Sequence, residues 1–89
     1  MFSVFIMAKI EAGKEDEVLN FLESVKQIER TSLTYGIYDL CIQASFRTME
    51  ELNNFVFNNI RKIVSIKETV TLISARTIFP QSERVLSFG

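Results

Sequence analysis

The chain has no histidine and no tryptophan, one cysteine, one proline and three glycines among its 89 residues. Each scarcity closes off some chemistry. Without histidine there is no imidazole general base, no histidine-containing zinc site and no Ser-His-Asp triad. The single cysteine, Cys41, excludes a disulfide scaffold and CxxC redox or metal motifs. It lies in the apolar-rich run Leu40–Ala44, where a small buried thiol is the plain expectation. Gly13 and Gly36 are the only glycines before the terminal Gly89, too few for a P-loop or a dinucleotide fingerprint. No sign of charge dominates: ten Lys plus Arg face eleven Asp plus Glu, a net charge of −1. A duplex nucleic-acid binder normally carries a basic surplus. No run approaches the roughly 18 apolar residues of a membrane span. Met1–Ile10 is apolar but has no basic leading segment and no small-residue cleavage site, so it does not read as a signal peptide. A cytoplasmic protein without membrane contact is expected, with no cofactor and little equipment for enzyme chemistry.

What is present is a hydrophobic share of 47% and a charged share of 24%, which excludes disorder and low-complexity linkers. A chain of this length supports one small domain, burying only roughly 60–65% of its unfolded surface, so oligomerisation is a reasonable expectation. Phe2, Val4, Ile6, Ala8 and Ile10 are apolar at every second position, which predicts a half-buried strand. Phe5 and Met7 on its other face also want cover. Gly13 opens a helix with Glu15, Asp16 and Glu17 at its positive end. Val18, Phe21, Leu22 and Val25 form its apolar stripe, and Lys26 suits its negative end. The polar stretch Ile28–Tyr35 predicts an edge strand. Gly36-Ile37 then predicts a tight turn, and Tyr38–Phe46 alternate as a third strand. Thr48 followed by Glu51 matches the capping box of a second helix, with Leu52, Phe55, Val56, Ile60 and Ile63 as its stripe. A fourth strand is predicted from Ile66 to Phe79, with Thr69, Thr71, Ile73 and Ala75 on one side and Val70 and Leu72 on the other; Pro80 ends it.

The order β-α-β-β-α-β defines an α+β, ferredoxin-like βαββαβ sandwich. Its antiparallel four-stranded sheet has the order 4-1-3-2, with both helices on one face. The domain is expected over residues 1–79, with a C-terminal tail over 80–89. The open sheet face is expected to carry Phe5, Met7, Cys41, Ile73 and Ala75 among polar residues, a large patch for a monomer. A second copy, sheet against sheet, is its simplest cover, so patterning predicts a homodimer.

Two clusters stand out as candidate sites. Gly36, Tyr38 and Asp39 lie at the second hairpin. Turn chemistry accounts for them, since Gly supplies a positive φ and Asp accepts a backbone hydrogen bond. The functional reading is that amides near Gly36 receive a carboxylate while Asp39 faces an ammonium, the two ends of a free amino acid. Thr69 and Thr71 share one strand face. They are ordinary strand formers, or two hydroxyls offered to a ligand lying across a subunit boundary. Arg30, Arg47, Arg61 and Lys62 are scattered and read as solvated charge. Glu50 and Glu51 are adjacent on a helix and point apart, so capping and solubility account for them rather than acid/base work.

The segments Phe5–Glu15, Gly36-Ile37-Tyr38-Asp39-Leu40, Met49–Val56, Ile60–Ile63 and Glu68–Ile73 occur in the order of a known family. Together they resemble the effector-binding (RAM) domain of the Lrp/AsnC transcription regulators, over about residues 2–76. The Gly-x-Tyr-Asp piece is the most specific part. The resemblance implies a dimeric α/β barrel, assembled further into octamers or larger rings. It also implies a small amino-acid effector bound between dimers, with Gly36, Tyr38 and Asp39 lining the pocket from one subunit and Thr69 and Thr71 contributing. Those regulators place a helix-turn-helix before this domain. Here the chain starts at the first strand, so a stand-alone form is expected, without direct DNA binding, that mixes with full-length Lrp/AsnC regulators. Ser65 stands where the family often has Gly, and the tail departs from the pattern. Two other readings are open to the same residues. One is a structural assembly module with no ligand. The other is a dimeric α/β-barrel enzyme, for which an aliphatic interior without histidine is poor material. An RNA-binding sheet of the same topology would expose aromatics beside basic residues, whereas the third strand here presents Asp39, Cys41, Gln43 and Ser45.

Overall fold

The alternation that opens the sequence becomes an interior strand, β1 (Phe2–Ile10), whose residues Val4, Ile6, Ala8 and Ile10 are all buried. The structure, a computed structural model, describes residues 1–80. β1 is followed by α1 (Glu15–Glu23), β2 (Ile28–Leu33), β3 (Leu40–Phe46), α2 (Met49–Phe55) and β4 (Ile66–Ile73). The four strands form one antiparallel sheet in the order β2-β3-β1-β4, which is the predicted 4-1-3-2 order read from the other edge. This is the expected α+β, ferredoxin-like arrangement.

Register decides which residues share a face, because directly opposed residues point the same way. Val4, Ile6 and Ala8 oppose Ala44, Ile42 and Leu40 on β3, and these six buried residues floor the core under the helices. On the other side the same three oppose Ile73, Thr71 and Thr69 of β4. Ile73 therefore belongs to the helix side, not to the open face as expected from the sequence. Ala75 lies beyond the end of β4. Their places on the open face go to Val70 and Leu72, opposite Met7 and Phe5. Alternation separates two faces but does not say which of them a helix covers.

In α1, Val18 and Leu22 are buried, while Phe21 is more exposed than the stripe predicts. The helix stops at Glu23, with Ser24 as its C-cap, so Lys26 falls outside it and the last turn has no basic residue. At α2, Thr48 is extended, and its Oγ1 accepts the Glu51 N–H at 3.1 Å. Glu51 reaches back to the Arg47 N–H at 3.2 Å, one residue earlier than the usual capping-box partner. α2 then widens into a π-turn over Val56–Ile60, marked by the Arg61 N–H donating to the Val56 carbonyl at 2.9 Å. The wider turn lets Phe55 and Ile60 both enter the core.

β4 ends at Ile73 rather than continuing to Phe79, although the Ser74 N–H still donates to the Ser3 carbonyl at 2.9 Å. Among the described residues no helix is long and apolar enough to cross a membrane. The predicted tail has only its first residue, Pro80, among the described residues; 81–89 lie outside them.

Candidate functional site

The connection from β2 to β3 is wider than the tight turn expected at Gly36-Ile37. Thr34 closes it. Its N–H donates to the Asp39 carbonyl at 2.9 Å, and its Oγ1 donates to the Tyr38 carbonyl at 2.6 Å. Tyr35, Gly36 and Ile37 project from this frame and are exposed, whereas Tyr38 and Asp39 are half-buried. Gly36 has φ +125°, and a Cβ built there would meet nothing within 4 Å. The glycine is needed for its backbone conformation, not for space.

Asp39 is fastened to β1 twice. Its N–H donates to the Ala8 carbonyl at 2.9 Å, and its Oδ2 accepts the Ile10 N–H at 2.9 Å. Ile10 follows the point where β1 shifts register against β4. Its N–H faces β3, whose pairing with β1 ends at Ala8 and Leu40, so the ladder supplies no partner and the Asp39 side chain satisfies the donor. Among the described residues the other carboxylate oxygen, Oδ1, has no hydrogen-bond partner. Lys9 stands beside the hairpin, its Nζ 5.9 Å from the Tyr38 ring centroid and 3.2 Å from Glu68 Oε2. A second ion pair, Lys67–Glu11 at 3.1 Å, lies at the same end of the sheet.

Thr69 and Thr71 share a strand face as predicted, but the structure does not bring them to the hairpin within one subunit. Leu40, Ala8 and Thr69 form one row across three strands. Two strand spacings, roughly 10 Å, therefore separate β3 from β4. The threonines instead line a cleft of about 470 Å³ between α2 and β4, with Met49, Leu52, Asn53, Val56, Phe57, Arg61 and Ile73. Arg61, read from the sequence as solvated charge, is the one charged residue of this lining among the described residues. The five predicted site residues thus fall into two groups.

The open sheet face presents Phe5, Met7, Val70 and Leu72 together with half-buried Cys41. No helix covers it. Among the described residues no three His, Cys, Asp or Glu side chains converge as a metal site.

Comparison with known proteins adds a family and a fold. The family model described as the Lrp/AsnC ligand binding domain matches residues 3–83. The HTH-type transcriptional regulator FL11 of Pyrococcus horikoshii is 36% identical over 73 residues, covering 82% of this chain and 48% of the regulator. The chain spans about half the length of the curated relatives it matches. The crystal structure of FFRP-DM1 is 34% identical, covers 83% of this chain and 99% of its own, and superposes with a TM-score of 0.78. A Neisseria meningitidis transcriptional regulator, NMB0573, solved as a complex with L-Met, shares the fold at a TM-score of 0.81 and 16% identity, over 89% of this chain and 53% of its own.

Proposed function

The chain belongs to the Lrp/AsnC ligand-binding domain family, and from that premise we propose that it is an oligomer-forming regulatory module that binds an amino acid at the Gly36–Asp39 hairpin. The family is a ligand-binding domain of transcription regulators, not an enzymatic one. The observation that carries the proposal is the state of Asp39. One oxygen is spent on the Ile10 N–H, which fixes the side chain, and the other has no hydrogen-bond partner among the described residues. A half-buried, immobilised carboxylate beside exposed backbone at Gly36 suits a zwitterion. The ammonium meets Asp39 Oδ1, the carboxylate meets amides near Gly36, and Tyr38 bounds the side-chain space. The L-Met bound to NMB0573 supports this ligand class, since that regulator has the same fold.

The module is the domain of residues 1–79, working in the cytoplasm as a homodimer joined through the open sheet faces, with residues 80–89 as its tail. Dimers assemble further into octamers or larger rings. An effector held between dimers changes assembly only if it binds one oligomer more tightly than another. Lrp/AsnC regulators are candidate partners, because the shared sheet face would pair with theirs. Thr69 and Thr71 belong to a different cleft, so any part they play at this hairpin requires them from a neighbouring subunit.

Calorimetric titration of the common amino acids into the wild type and into Asp39→Ala tests the reading. Binding to the wild type and its loss in the variant are expected. If no amino acid binds the wild type at millimolar concentration, sensing of these ligands is wrong. The bond from Ile10 to Asp39 favours the second reading in that event: a structural assembly module in which Asp39 serves the fold alone.

A further inference from the structure

We infer, on the reading that the hairpin takes an amino acid, that Thr34 is its positioning residue. The Thr34 hydroxyl holds the Tyr38–Asp39 peptide turned over, and that orientation aims the Asp39 carboxylate. Thr34 acts through Asp39 and is not itself offered to the effector.

Register defines the departure from a regular strand. β2 and β3 pair Leu33 with Leu40, so the next opposed residues are Thr34 and Asp39. In a regular antiparallel pair, opposed residues exchange two backbone bonds or none. Thr34 and Asp39 share one. The Thr34 N–H donates to the Asp39 carbonyl at 2.9 Å, but the Asp39 N–H turns to the other neighbour and donates to the Ala8 carbonyl of β1 at 2.9 Å. The peptide joining Tyr38 to Asp39 is trans and planar, so its C=O points away from its N–H. With the N–H on β1, the C=O faces β2, where the Thr34 N–H is already given to Asp39. Thr34 Oγ1 meets that carbonyl at 2.6 Å, the shortest side-chain hydrogen bond among the described residues. A carbonyl only accepts, so the hydroxyl is the donor.

The regular alternative shows what the turned peptide does. There the Asp39 N–H returns to the Thr34 carbonyl, and the Tyr38 C=O faces β1. Two residues on from the Ala8–Leu40 pair, that carbonyl stands opposite Ile10 and takes its N–H. The Asp39 carboxylate is then released into water. In the observed arrangement the Ile10 N–H goes to Asp39 Oδ2 at 2.9 Å, which immobilises the carboxylate. One hydroxyl thus favours a fixed carboxylate over a loose one. A group already held in place binds more tightly than one its ligand must order. The same bond closes the exposed Tyr35–Ile37 arm into a ring, which limits its freedom before a ligand arrives. The bond is itself exposed, so water replaces the hydroxyl at the Tyr38 carbonyl when it is removed, and stability depends on it little.

The test compares the wild type with Thr34→Val, which keeps the shape and the backbone N–H but removes the hydroxyl, and with Thr34→Ser, which keeps the hydroxyl. L-Methionine and the other common amino acids are titrated into each by calorimetry, beside urea unfolding at the same protein concentration. Thr34→Val is expected to bind about three- to tenfold more weakly, with the unfolding midpoint of the wild type. Thr34→Ser is expected to bind within about twofold of the wild type. Wild-type affinity in Thr34→Val overturns the positioning role and leaves the hairpin reading standing. So does equal weakening in both variants, because the hydroxyl is then not the agent. A loss of affinity in Thr34→Val that comes with a lowered unfolding midpoint makes Thr34 a residue of the fold alone, and also overturns it. If no amino acid binds the wild type at millimolar concentration, the hairpin reading fails and the role of Thr34 falls with it.

Discussion

The side chain of Asp39 accepts the backbone N–H of Ile10 at 2.9 Å, across 29 positions of sequence. That bond sits where β1 shifts register against β4, so one carboxylate ties the β2–β3 hairpin to the strand between β3 and β4. The same side chain is the one offered to an effector's ammonium. Structure and ligand therefore share a group, and a single substitution confounds them.

Two substitutions separate the roles. Asp39→Ala removes the acceptor and leaves the part-buried Ile10 N–H unsatisfied, at a cost of about 1–3 kcal/mol. Asp39→Asn keeps a carbonyl oxygen for Ile10 and is expected to stay within about 1 kcal/mol of the wild type. It nevertheless loses the negative charge that an amino-acid ammonium needs. Urea unfolding at fixed protein concentration, paired with amino-acid titration, is expected to show Asp39→Asn stable but unable to bind. An Asp39→Asn variant that binds as the wild type does would remove Asp39 from the recognition of the ammonium.

Gly36 offers a cleaner measurement, because nothing crowds it. At φ +125° an added Cβ meets no atom within 4 Å, so Gly36→Ala is charged only with backbone strain. A cost of about 1–3 kcal/mol is expected from that conformation. The exposed loop can also relax and re-aim Tyr38 and Asp39, weakening amino-acid binding beyond the loss of stability. Unfolding and titration of the same preparation measure both. Wild-type stability together with wild-type binding would show that the hairpin does not depend on this backbone geometry.

Legibility in the sequence varies by element. β1 is plain, since five alternating apolar residues define a face and four of them are buried. Thr48 and Glu51 mark the start of α2 because their side chains bond local backbone groups. The π-turn leaves only a faint trace. Positions 58 and 59, where regular helical spacing from Phe55 would place the next apolar residue, are both Asn, and the next buried residue is Ile60, five along. The orientation of β4 is not legible at all. Both faces of an edge strand are half-covered at best, so Thr69, Thr71 and Ile73 are assigned only through their pairing with Ala8, Ile6 and Val4. For the same reason the hairpin is readable as a candidate from Gly36, Tyr38 and Asp39, while Arg61 carries no signal as part of the cleft between α2 and β4. Its position depends on a turn that periodicity alone treats as regular.

The cap of α2 gives a prediction independent of any ligand. Thr48 Oγ1 accepts the Glu51 N–H at 3.1 Å, and α2 has only seven residues before the π-turn. Thr48→Ala is expected to cost about 1 kcal/mol, while Thr48→Ser and Thr48→Asp retain the acceptor and cost less. Chemical unfolding at one protein concentration checks the ranking, because stability of an oligomer depends on concentration. An alanine variant as stable as the serine one would show that the helix is held by the burial of Leu52 and Phe55 alone.

The open sheet face decides the assembly. Phe5, Met7, Val70 and Leu72 occupy adjacent positions on β1 and β4, and Leu72 is 50% exposed in the single subunit although it is flanked by apolar neighbours. A contiguous apolar patch of this kind is normally covered by a partner. Leu72→Lys puts a charge into this patch, on its β4 side, without touching the helix-side core. A charge buried without a counterion is costly, so two such faces will not close on each other. Sedimentation velocity at micromolar concentration is expected to show the wild type as a dimer or larger, and Leu72→Lys as a folded single subunit. If the wild type itself sediments as a folded monomer, the sheet face is not the seam, and sites shared between subunits lose their basis.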